Sequence, residues 1–330
     1  MLITQGSRIP AVTMLRGLAA LGVCIMHFAG TLEPGTIQDL ARIGGYGVPV
    51  FFVISGFILP YSMEQDQYAL NNYGSFLLKR IIRLDPPYLL TIIGIAGLSL
   101  LAQWSPYHTA SAVEVMNGNG ALHLFYGVDI FGGTWLNPVF WTLAIEFQFY
   151  LLIGLLFPLL LSKNDLFRLI LFIGLCSLPF LVKDDRFVSD HVLLFLPGIL
   201  LFCFVTEKID RKWFFGLCSI VLVAGYAKSG ISAVICPVCT LCFLLLVKTS
   251  FRPLMFLGTI SYSLYLIHTP LGTDGLINFF QNIFTTQPQR IVLALVALPV
   301  TVCGAWLFYR IVEKPSIRTS RFVAYKRRKV

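Results

Sequence analysis

The first apolar run of the sequence contains two polar side chains whose spacing places them on one face of a helix. Arg16 and His27 are eleven residues apart, which on an α-helix is about 20° beyond three full turns and about 16 Å along the axis. An imidazole can take up and return a proton near neutral pH. We therefore predict a functional pair in which His27 is a general base. The alternative is an arginine at a membrane boundary and a histidine hydrogen-bonded within a helical bundle.

A second apolar run contains a carboxylate, Glu146, between the aromatic residues Trp141 and Tyr150. A carboxylate in apolar surroundings must pair with a donor or take up a proton. Counted from the end of its run, Glu146 is at a depth that His27 can also reach, and a carboxylate that orients an imidazole improves it as a base. Structural pairing with an arginine or tyrosine at the membrane interface is the alternative, and the sequence does not decide between them.

Two further positions give weaker signals. His268 precedes a Thr-Pro pair, where a histidine often binds carbonyl groups that the proline leaves free, so a structural role is the first interpretation and a catalytic role the second. Arg80 and Arg83 are three residues apart, so on a helical turn both guanidinium groups face the same way and can bind phosphate through paired hydrogen bonds. Ordinary basic charge at a membrane boundary explains that pair equally well.

Apolar helices must position these residues. The chain has 330 residues, of which 57% are hydrophobic and only 12% are charged, whereas a soluble domain has about 25% charged residues. This composition excludes a soluble globular enzyme, a disordered chain and a secreted disulfide scaffold. The net charge of +9 is located in short gaps between apolar runs, so we expect contact with anionic lipid and no nucleic-acid partner.

We predict an all-α bundle of about ten transmembrane helices that forms one domain, residues 1–330. Each apolar run approaches the roughly 20 residues that cross a bilayer. Residues 118–135 are apolar but too short and too rich in glycine for a span. The predicted spans are 11–31, 43–61, 86–103, 139–161, 167–183, 191–206, 213–227, 231–247, 254–272 and 289–311, and a basic tail follows over 312–330.

Basic residues favour one set of alternate gaps, which the positive-inside rule assigns to the cytoplasm. With an even number of spans, both termini then lie in the cytoplasm, including the basic tail segment Lys326 to Lys329. The predicted inner gaps contain Lys79, Arg80, Arg83, Lys163, Arg168, Lys208, Arg211, Lys212, Lys248 and Arg252, and the outer gaps contain Arg42, Lys183, Arg186, Lys228 and Arg290.

The cysteines and one small-residue pair have structural interpretations. All eight cysteines lie within apolar runs, so we expect free, buried thiols. The spacing of Cys236, Cys239 and Cys242 resembles an iron–sulfur motif, but the fourth ligand is missing and we expect no metal site. Close packing between helices explains Ser55 and Gly56 better than a nucleophile motif does.

Taken together, these residues resemble the bacterial membrane-bound acyltransferase 3 family, whose members O-acylate surface sugars. The matching features extend over nearly the whole chain and occur in the family's order. They are Arg16-x10-His27, the run from Gly47 to Phe57, Arg80-x2-Arg83 with Pro86 and Tyr88, the segment from Trp141 to Tyr150 around Glu146, the segment from Ser261 to His268, and Glu313-Lys-Pro315.

The resemblance implies transfer of an acyl group, typically acetyl, from cytoplasmic acyl-CoA to a hydroxyl of a glycan or glycolipid outside the bacterial inner membrane. Acyl-CoA is a cosubstrate, and no bound cofactor or metal is expected. His27 would be the base or a transient acyl carrier, and Arg80 and Arg83 would hold the donor's phosphates. Arg16 and Glu146 would be further catalytic residues, with Arg16 holding the donor's phosphates or polarising its carbonyl. Further candidates are His268, Tyr88, Trp141 and Tyr150. Many relatives carry a C-terminal SGNH domain, and we expect a stand-alone form here.

Two alternative functions are compatible with charged residues inside a membrane. A transporter or flippase also uses such residues, although paired, inverted halves are not visible in this sequence. The same chemistry can also serve a different acceptor, such as a macrolide or an antibiotic sugar.

Overall fold

The computed structural model describes residues 9–102 and 120–325, and this part of the chain is a bundle of helices without β-strands. The all-α prediction is confirmed. The helices are α1 (Pro10–Phe28), α2 (Thr36–Arg42), α3 (Gly47–Gln65), α4 (Tyr73–Ala102), α5 (Phe140–Leu160), α6 (Asp165–Leu181), α7 (Val188–Val205), α8 (Arg211–Ser229), α9 (Ser232–Leu246), α10 (Arg252–Thr259), α11 (Ser261–Ile267), a π-helical segment (His268–Asn278), α12 (Gln287–Phe308), a second π-helical segment (Tyr309–Glu313) and α13 (Lys314–Ser320).

Helices occupy all ten positions at which spans are predicted. Within the described residues, six helices are long and apolar enough to cross a membrane, and α10 together with the segment 261–278 makes a seventh if the bent pair is one span. The remaining predicted spans correspond to α6, α8 and α9, which fall outside that set. The chain is therefore a multi-pass membrane protein, while the count of ten and the cytoplasmic termini stay predictions.

Two predicted spans have different shapes in the structure. The third begins at Tyr73 rather than Pro86, because Phe76 is fully buried and the helix continues through Pro86 and Pro87. The ninth, predicted as one span over 254–272, is bent by 58° between α10 and α11. α10 packs closely on α1, since a methyl group on Gly258 would lie 1.8 Å from the carbonyl oxygen of Thr13.

The centre of the bundle is the contact between α3 and α7, where two glycines bring the backbones together. A methyl group on Gly56 would lie 2.1 Å from the carbonyl oxygen of Phe195, and one on Gly198 would lie 2.0 Å from that of Val53. The interpretation of Gly56 as a packing residue is confirmed. Phe149 of α5 stacks on Phe195 with ring centroids 4.0 Å apart, so three helices share one aromatic core.

Ion pairs lie at both ends of the bundle and agree with the predicted grouping of basic gaps. Lys208 contacts Glu64 at 2.7 Å and Arg168 donates to the carbonyl oxygen of Lys208, all from predicted inner gaps or helix ends next to them. Lys228, from a predicted outer gap, contacts Asp190 at 2.5 Å. Which end faces the cytoplasm stays a prediction, and the basic segments at both termini lie outside the described residues.

The remaining structural expectations have mixed outcomes. Residues 120–135 of the segment 118–135 form a helical turn and irregular backbone, so no span occurs in that described part.

All eight cysteines are free, but the expectation that they are buried is wrong for three. Cys239, Cys242 and Cys303 are exposed because they lie on helix faces directed away from the other helices.

Candidate active site

A cavity of about 270 Å³, here called the inner cavity, gathers most of the ionisable residues that the sequence singles out. α1, α3, α4, α5 and α11 contribute its walls. The residues whose side chains have polar groups in this cavity are Arg16, Ser55, Ser62, Arg80, Arg83, Thr142, Glu146, Tyr150, Ser261, Tyr262 and Tyr265.

Positive charge exceeds negative charge in and around the inner cavity. Arg16, Arg80 and Arg83 line it, whereas Glu146 is the acidic residue among the described residues that line it. Glu313 lies just behind the wall, close enough to act electrostatically on Arg16 and Arg83. Among the described residues that line the cavity itself, three guanidinium groups stand against the one carboxylate of Glu146, in a region of low dielectric constant. Such a region favours an anionic ligand.

The guanidinium group of Arg80 contacts aromatic rings and lacks a full set of hydrogen bonds within the described residues. Its guanidinium lies over the rings of Phe76 and Tyr150, 5.4 and 5.9 Å from their centroids. Its Nε atom is buried and has no hydrogen-bond partner within the described structure. No ion pair within 4.0 Å joins any of the three arginines to a carboxylate of residues 9–102 or 120–325. The guanidinium groups are therefore available to a ligand.

Glu146 does not contact His27. Its Oε1 atom accepts a hydrogen bond of 2.9 Å from the hydroxyl of Ser55, and both side chains line the inner cavity. Ser55 therefore has a polar role that the sequence interpretation missed, because the Ser-Gly pair indicated packing and the contact to Glu146 spans 91 residues of sequence.

His27 lies in a second cavity of about 370 Å³, here called the outer groove. The two cavities follow the same helices and share Val48, Phe52 and Tyr265 as lining residues. On α1 the inner cavity contains Arg16 and the outer groove contains His27, while their alignment on one face of the helix stays a prediction. The full lining of the outer groove is Val23, Met26, His27, Gly45, Val48, Pro49, Phe52, Pro138, Val139, Trp141, His191, Leu194 and Tyr265.

His268 is the close neighbour of His27, with ring centroids 5.1 Å apart. The Nδ1 atom of His268 lies 2.8 Å from the carbonyl oxygen of Tyr265 and 3.2 Å from that of Leu264. Carbonyl oxygens accept, so Nδ1 carries the proton and Nε2 is the acceptor of the neutral ring. This Nε2 atom is buried and lacks a hydrogen-bond partner in the described structure. His268 thus has a capping role and also presents a free acceptor beside His27.

Buried hydrogen bonds hold the broken helix that carries His268. Asn137, just before α5, donates to the carbonyl oxygen of Leu266 at 3.0 Å and accepts from the hydroxyl of Thr269 at 2.6 Å. Glu313 accepts from the backbone N–H and the hydroxyl of Ser263, at 3.1 and 2.5 Å. These bonds satisfy backbone and hydroxyl groups that the bend removes from a regular helix. They fix His268 relative to both cavities.

The other predicted site residues lie in the inner cavity, in the outer groove or in neither. Tyr150 lines the inner cavity and Trp141 lines the outer groove. Tyr88 lines neither, because its hydroxyl donates to the carbonyl oxygen of His123 at 2.9 Å and its ring stacks on Tyr126. His191 lines the outer groove and was missed, although it is a titratable residue at the end of a predicted span, as His268 is.

The loop at the mouth of the outer groove carries an ion pair. Arg186 donates to both carboxylate oxygens of Asp184, at 2.9 and 2.6 Å. These hydrogen bonds hold the pKa of Asp184 below its usual value, so the carboxylate is ionised at neutral pH. Each charge at this rim is compensated by the other, in contrast to the arginines of the inner cavity.

Known proteins match this chain over most of its length. A family model for the acyltransferase domain of the acyltransferase 3 family matches residues 9–310. The O-acetyltransferase OatA of Staphylococcus aureus strain NCTC 8325 is 24% identical over 373 aligned residues, which cover 96% of this chain and 58% of the relative. A putative O-acetyltransferase of Staphylococcus aureus strain COL is 25% identical, with 93% of this chain and 57% of the relative covered.

A more distant source provides a third relative. A putative acetyltransferase of Acidianus two-tailed virus is 26% identical over 192 residues, 57% of this chain and 53% of the relative. No solved structure matches the chain. The chain spans somewhat more than half the length of the curated relatives that it matches. The match of the family model over residues 9–310 nevertheless covers both cavities and every predicted site residue, and the chain belongs to the acyltransferase 3 family.

Proposed function

We propose that the protein transfers an acetyl group from acyl-CoA, held by the inner cavity, to a carbohydrate hydroxyl in the outer groove, with His27 as the reactive residue. The observation that carries the proposal is the arrangement of the two cavities along α1. One cavity contains Arg16 and an excess of positive charge, the other contains His27, and Val48, Phe52 and Tyr265 line both. An acyl donor and an acceptor hydroxyl can thus approach one histidine from opposite directions.

The inner cavity suits the donor because acyl-CoA is an anion with a long, flexible thioester arm. Arg80 and Arg83 would bind its phosphates through forked hydrogen bonds, a geometry that lysine does not reproduce. Arg16 is farther along the route towards His27, about 16 Å before it on the helix. It would hold the donor or polarise the thioester carbonyl.

The chemistry at His27 needs one nitrogen as a base and the other as a hydrogen-bond donor. The unprotonated nitrogen takes the proton of the acceptor hydroxyl while the hydroxyl oxygen attacks the thioester carbonyl. The new C–O bond forms, the C–S bond breaks, and the proton passes to the leaving thiolate of CoA. The buried Nε2 of His268 would accept a hydrogen bond from the N–H of His27 and so fix the ring. In this proposal His268 has the orienting role that the sequence suggested for Glu146. Brief acylation of His27 itself is the alternative route.

The location in the cell follows from the proposed orientation. With the basic gaps in the cytoplasm, the inner cavity opens towards cytoplasmic acyl-CoA and His27 lies in the outer half of the membrane. We place the protein in the bacterial inner membrane with both termini inside. The acetyl group is favoured over longer acyl groups because two of the relatives are named O-acetyltransferases and a third acetyltransferase.

The test is acyl transfer by the purified protein in lipid nanodiscs. The protein is incubated with radiolabelled acetyl-CoA and with glycan fractions extracted from a bacterial envelope, and label is measured in the glycan after chromatography. We expect label that mild base releases, as it releases an ester. Absence of label from all glycan fractions, together with label in an added macrolide or antibiotic sugar, would move the acceptor to that class. No acetyl transfer at all would overturn the proposal.

A further inference from the structure

Three rings in the outer groove have no part in the chemistry proposed for His27. Trp141, His191 and Phe52 form one wall, with 5.7 Å between the ring centroids of Trp141 and His191 and 5.9 Å between those of His191 and Phe52. The groove volume of about 370 Å³ lies within the range of roughly 300 to 1,000 Å³ that small-molecule sites occupy. This wall faces the cavity that contains His27, so a molecule bound to it is next to the reactive residue.

His191 lines this cavity and makes one hydrogen bond that defines its tautomer. Its Nε2 atom lies 2.9 Å from the carbonyl oxygen of Asp185. A carbonyl oxygen accepts only, so Nε2 donates, and in the neutral ring Nδ1 is then an acceptor. The wall therefore combines flat apolar ring faces with a hydrogen-bond acceptor at its edge.

Gln148 fixes the helices that carry Trp141 and His191 relative to each other. Its side-chain amide donates to the carbonyl oxygen of Arg186 at 2.9 Å and its carbonyl oxygen accepts from the backbone N–H of Val188 at 2.8 Å. Gln148 and Trp141 belong to α5, whereas Val188 begins α7, which carries His191. Both hydrogen bonds of one side chain thus tie α5 to the start of α7. These hydrogen bonds preorganise the wall, and preorganisation reduces the entropic cost of binding.

We infer that this wall is the acceptor subsite and that it binds an uncharged pyranose ring. The C–H face of the sugar stacks on Trp141, and one of its hydroxyl groups donates to Nδ1 of His191. A pyranose has apolar faces and polar edges, which is the pattern that the wall offers. This inference rests on the proposed function, because it names the chemistry of the acceptor at the site where His27 acts.

The residues that line the groove argue against a charged ligand and against a lipid chain. No Asp, Glu, Lys or Arg occurs among the described residues that line it, so an anionic or cationic sugar would lose its hydration without gaining a partner. A lipid chain would leave the acceptor of His191 without a hydrogen bond. An uncharged sugar ring satisfies both conditions.

Binding of saccharides tests the inference without requiring acetyl transfer. The purified protein in nanodiscs is titrated with uncharged trisaccharides built from glucose, galactose, rhamnose or N-acetylglucosamine, with tryptophan fluorescence and calorimetry as readouts. We expect at least one of them to bind, and Trp141→Ala to weaken that binding by about threefold to tenfold, the range expected for loss of one aromatic contact. Trp213→Phe is the matched control, because Trp213 lies in α8 and lines neither cavity.

Two variants of His191 test separately how its ring shape and its hydrogen-bond acceptor contribute to saccharide binding. His191→Phe keeps an aromatic ring and removes the acceptor, so we expect weaker saccharide binding. His191→Asn places an oxygen where Nδ1 was, so we expect partial recovery. Binding that is unchanged in Trp141→Ala and His191→Phe would overturn the inference, as would absence of binding by every trisaccharide. Binding that follows these expectations in a protein without acetyl transfer would support the subsite and refute the proposed function.

Discussion

The inner cavity and the outer groove differ in how they offer interactions to a ligand. The inner cavity contains three guanidinium groups and a carboxylate, and one arginine atom there is buried without a partner. The outer groove is lined by neutral rings and apolar side chains, and the ion pair at its mouth is compensated. An excess of positive charge favours an anion, whereas ring faces with few polar atoms favour an uncharged polar molecule. In the proposed function, this difference would separate donor binding from acceptor binding.

The two regions also differ in how the chain builds them. The arginines and Glu146 project from regular helices, α1, α4 and α5. The residues of the outer groove also lie mostly on helices, but irregular backbone borders them. His268, the neighbour of His27, begins a π-helical segment, and the loop before α7 binds His191 through the carbonyl oxygen of Asp185. Long-range hydrogen bonds of Asn137 and Gln148 hold that backbone in place. The charged site is therefore a property of helix faces, and the uncharged site is a property of tertiary contacts.

The largest expected effect belongs to His27, which lines the outer groove. His27→Gln keeps part of the hydrogen bonding but removes the base, so we expect kcat for acetyl transfer to fall at least ~100-fold while KM for acyl-CoA stays near its normal value. Expression and thermal stability, measured in the same preparation, control for folding. Turnover close to normal in this variant would show that His27 is not the base, and His268 would be the next candidate.

Features that depend on residues close together in the sequence could be predicted, whereas contacts between residues far apart in the sequence could not. The shared face of Arg16 and His27 depends on helical periodicity within one run, and the sequence predicted it. Glu146 accepts a hydrogen bond from Ser55, 91 residues away, and His27 lies beside His268. Neither pairing has a local signature, because helix packing decides it. His191 was missed for the same reason, and α4 extended beyond the predicted start because burial of Phe76 outweighs the signal of Pro86.

The second effect concerns the donor side alone. In the double variant Arg80→Ala/Arg83→Ala we expect KM for acyl-CoA to rise by at least about 10-fold, since the loss of even one charge-assisted hydrogen bond, about 1.5–3 kcal/mol, has that effect. Saccharide binding in the outer groove should not change. Arg83→Lys should lose a large part of the same affinity, because the forked geometry is lost although the charge remains.

Arg252→Ala is the matched control for the donor side. Arg252 is exposed and does not line either cavity, yet its removal lowers the net charge as one arginine substitution in the cavity does. We expect normal KM values for this variant. Equal increases in Arg252→Ala and Arg83→Ala would mean that general charge near the membrane, rather than the inner cavity, attracts the donor.

Glu146→Gln should have a smaller effect that distinguishes the two regions. Glutamine can still accept the hydrogen bond of Ser55, while one negative charge beside the arginines is removed. We expect KM for acyl-CoA to change by no more than about fivefold and kcat to stay within that range, since the carboxylate does not contact His27 and acts through partly screened electrostatics. Ser55→Ala removes the hydrogen bond without changing charge and serves as the control. A loss of kcat comparable to that of His27→Gln would show that the carboxylate acts in the chemical step.

The smallest effect on activity is expected at Tyr88, which is buried and lines neither cavity. Tyr88→Phe keeps the ring that stacks on Tyr126 and meets Phe140 edge-on, and it removes the hydroxyl that donates to the carbonyl oxygen of His123. The loss of one neutral, buried hydrogen bond should lower the free energy of unfolding by about 1 kcal/mol. The melting temperature in nanodiscs would then fall by a few degrees, while kcat and both KM values stay within about twofold, because no contact of the hydroxyl leads to a ligand. Since the substitution adds no volume and no charge, a fall in kcat without a fall in melting temperature can arise only if the loop around His123 acts on the reaction. That result would extend the active site beyond the two cavities, into a part of the molecule that is assigned here to structural support.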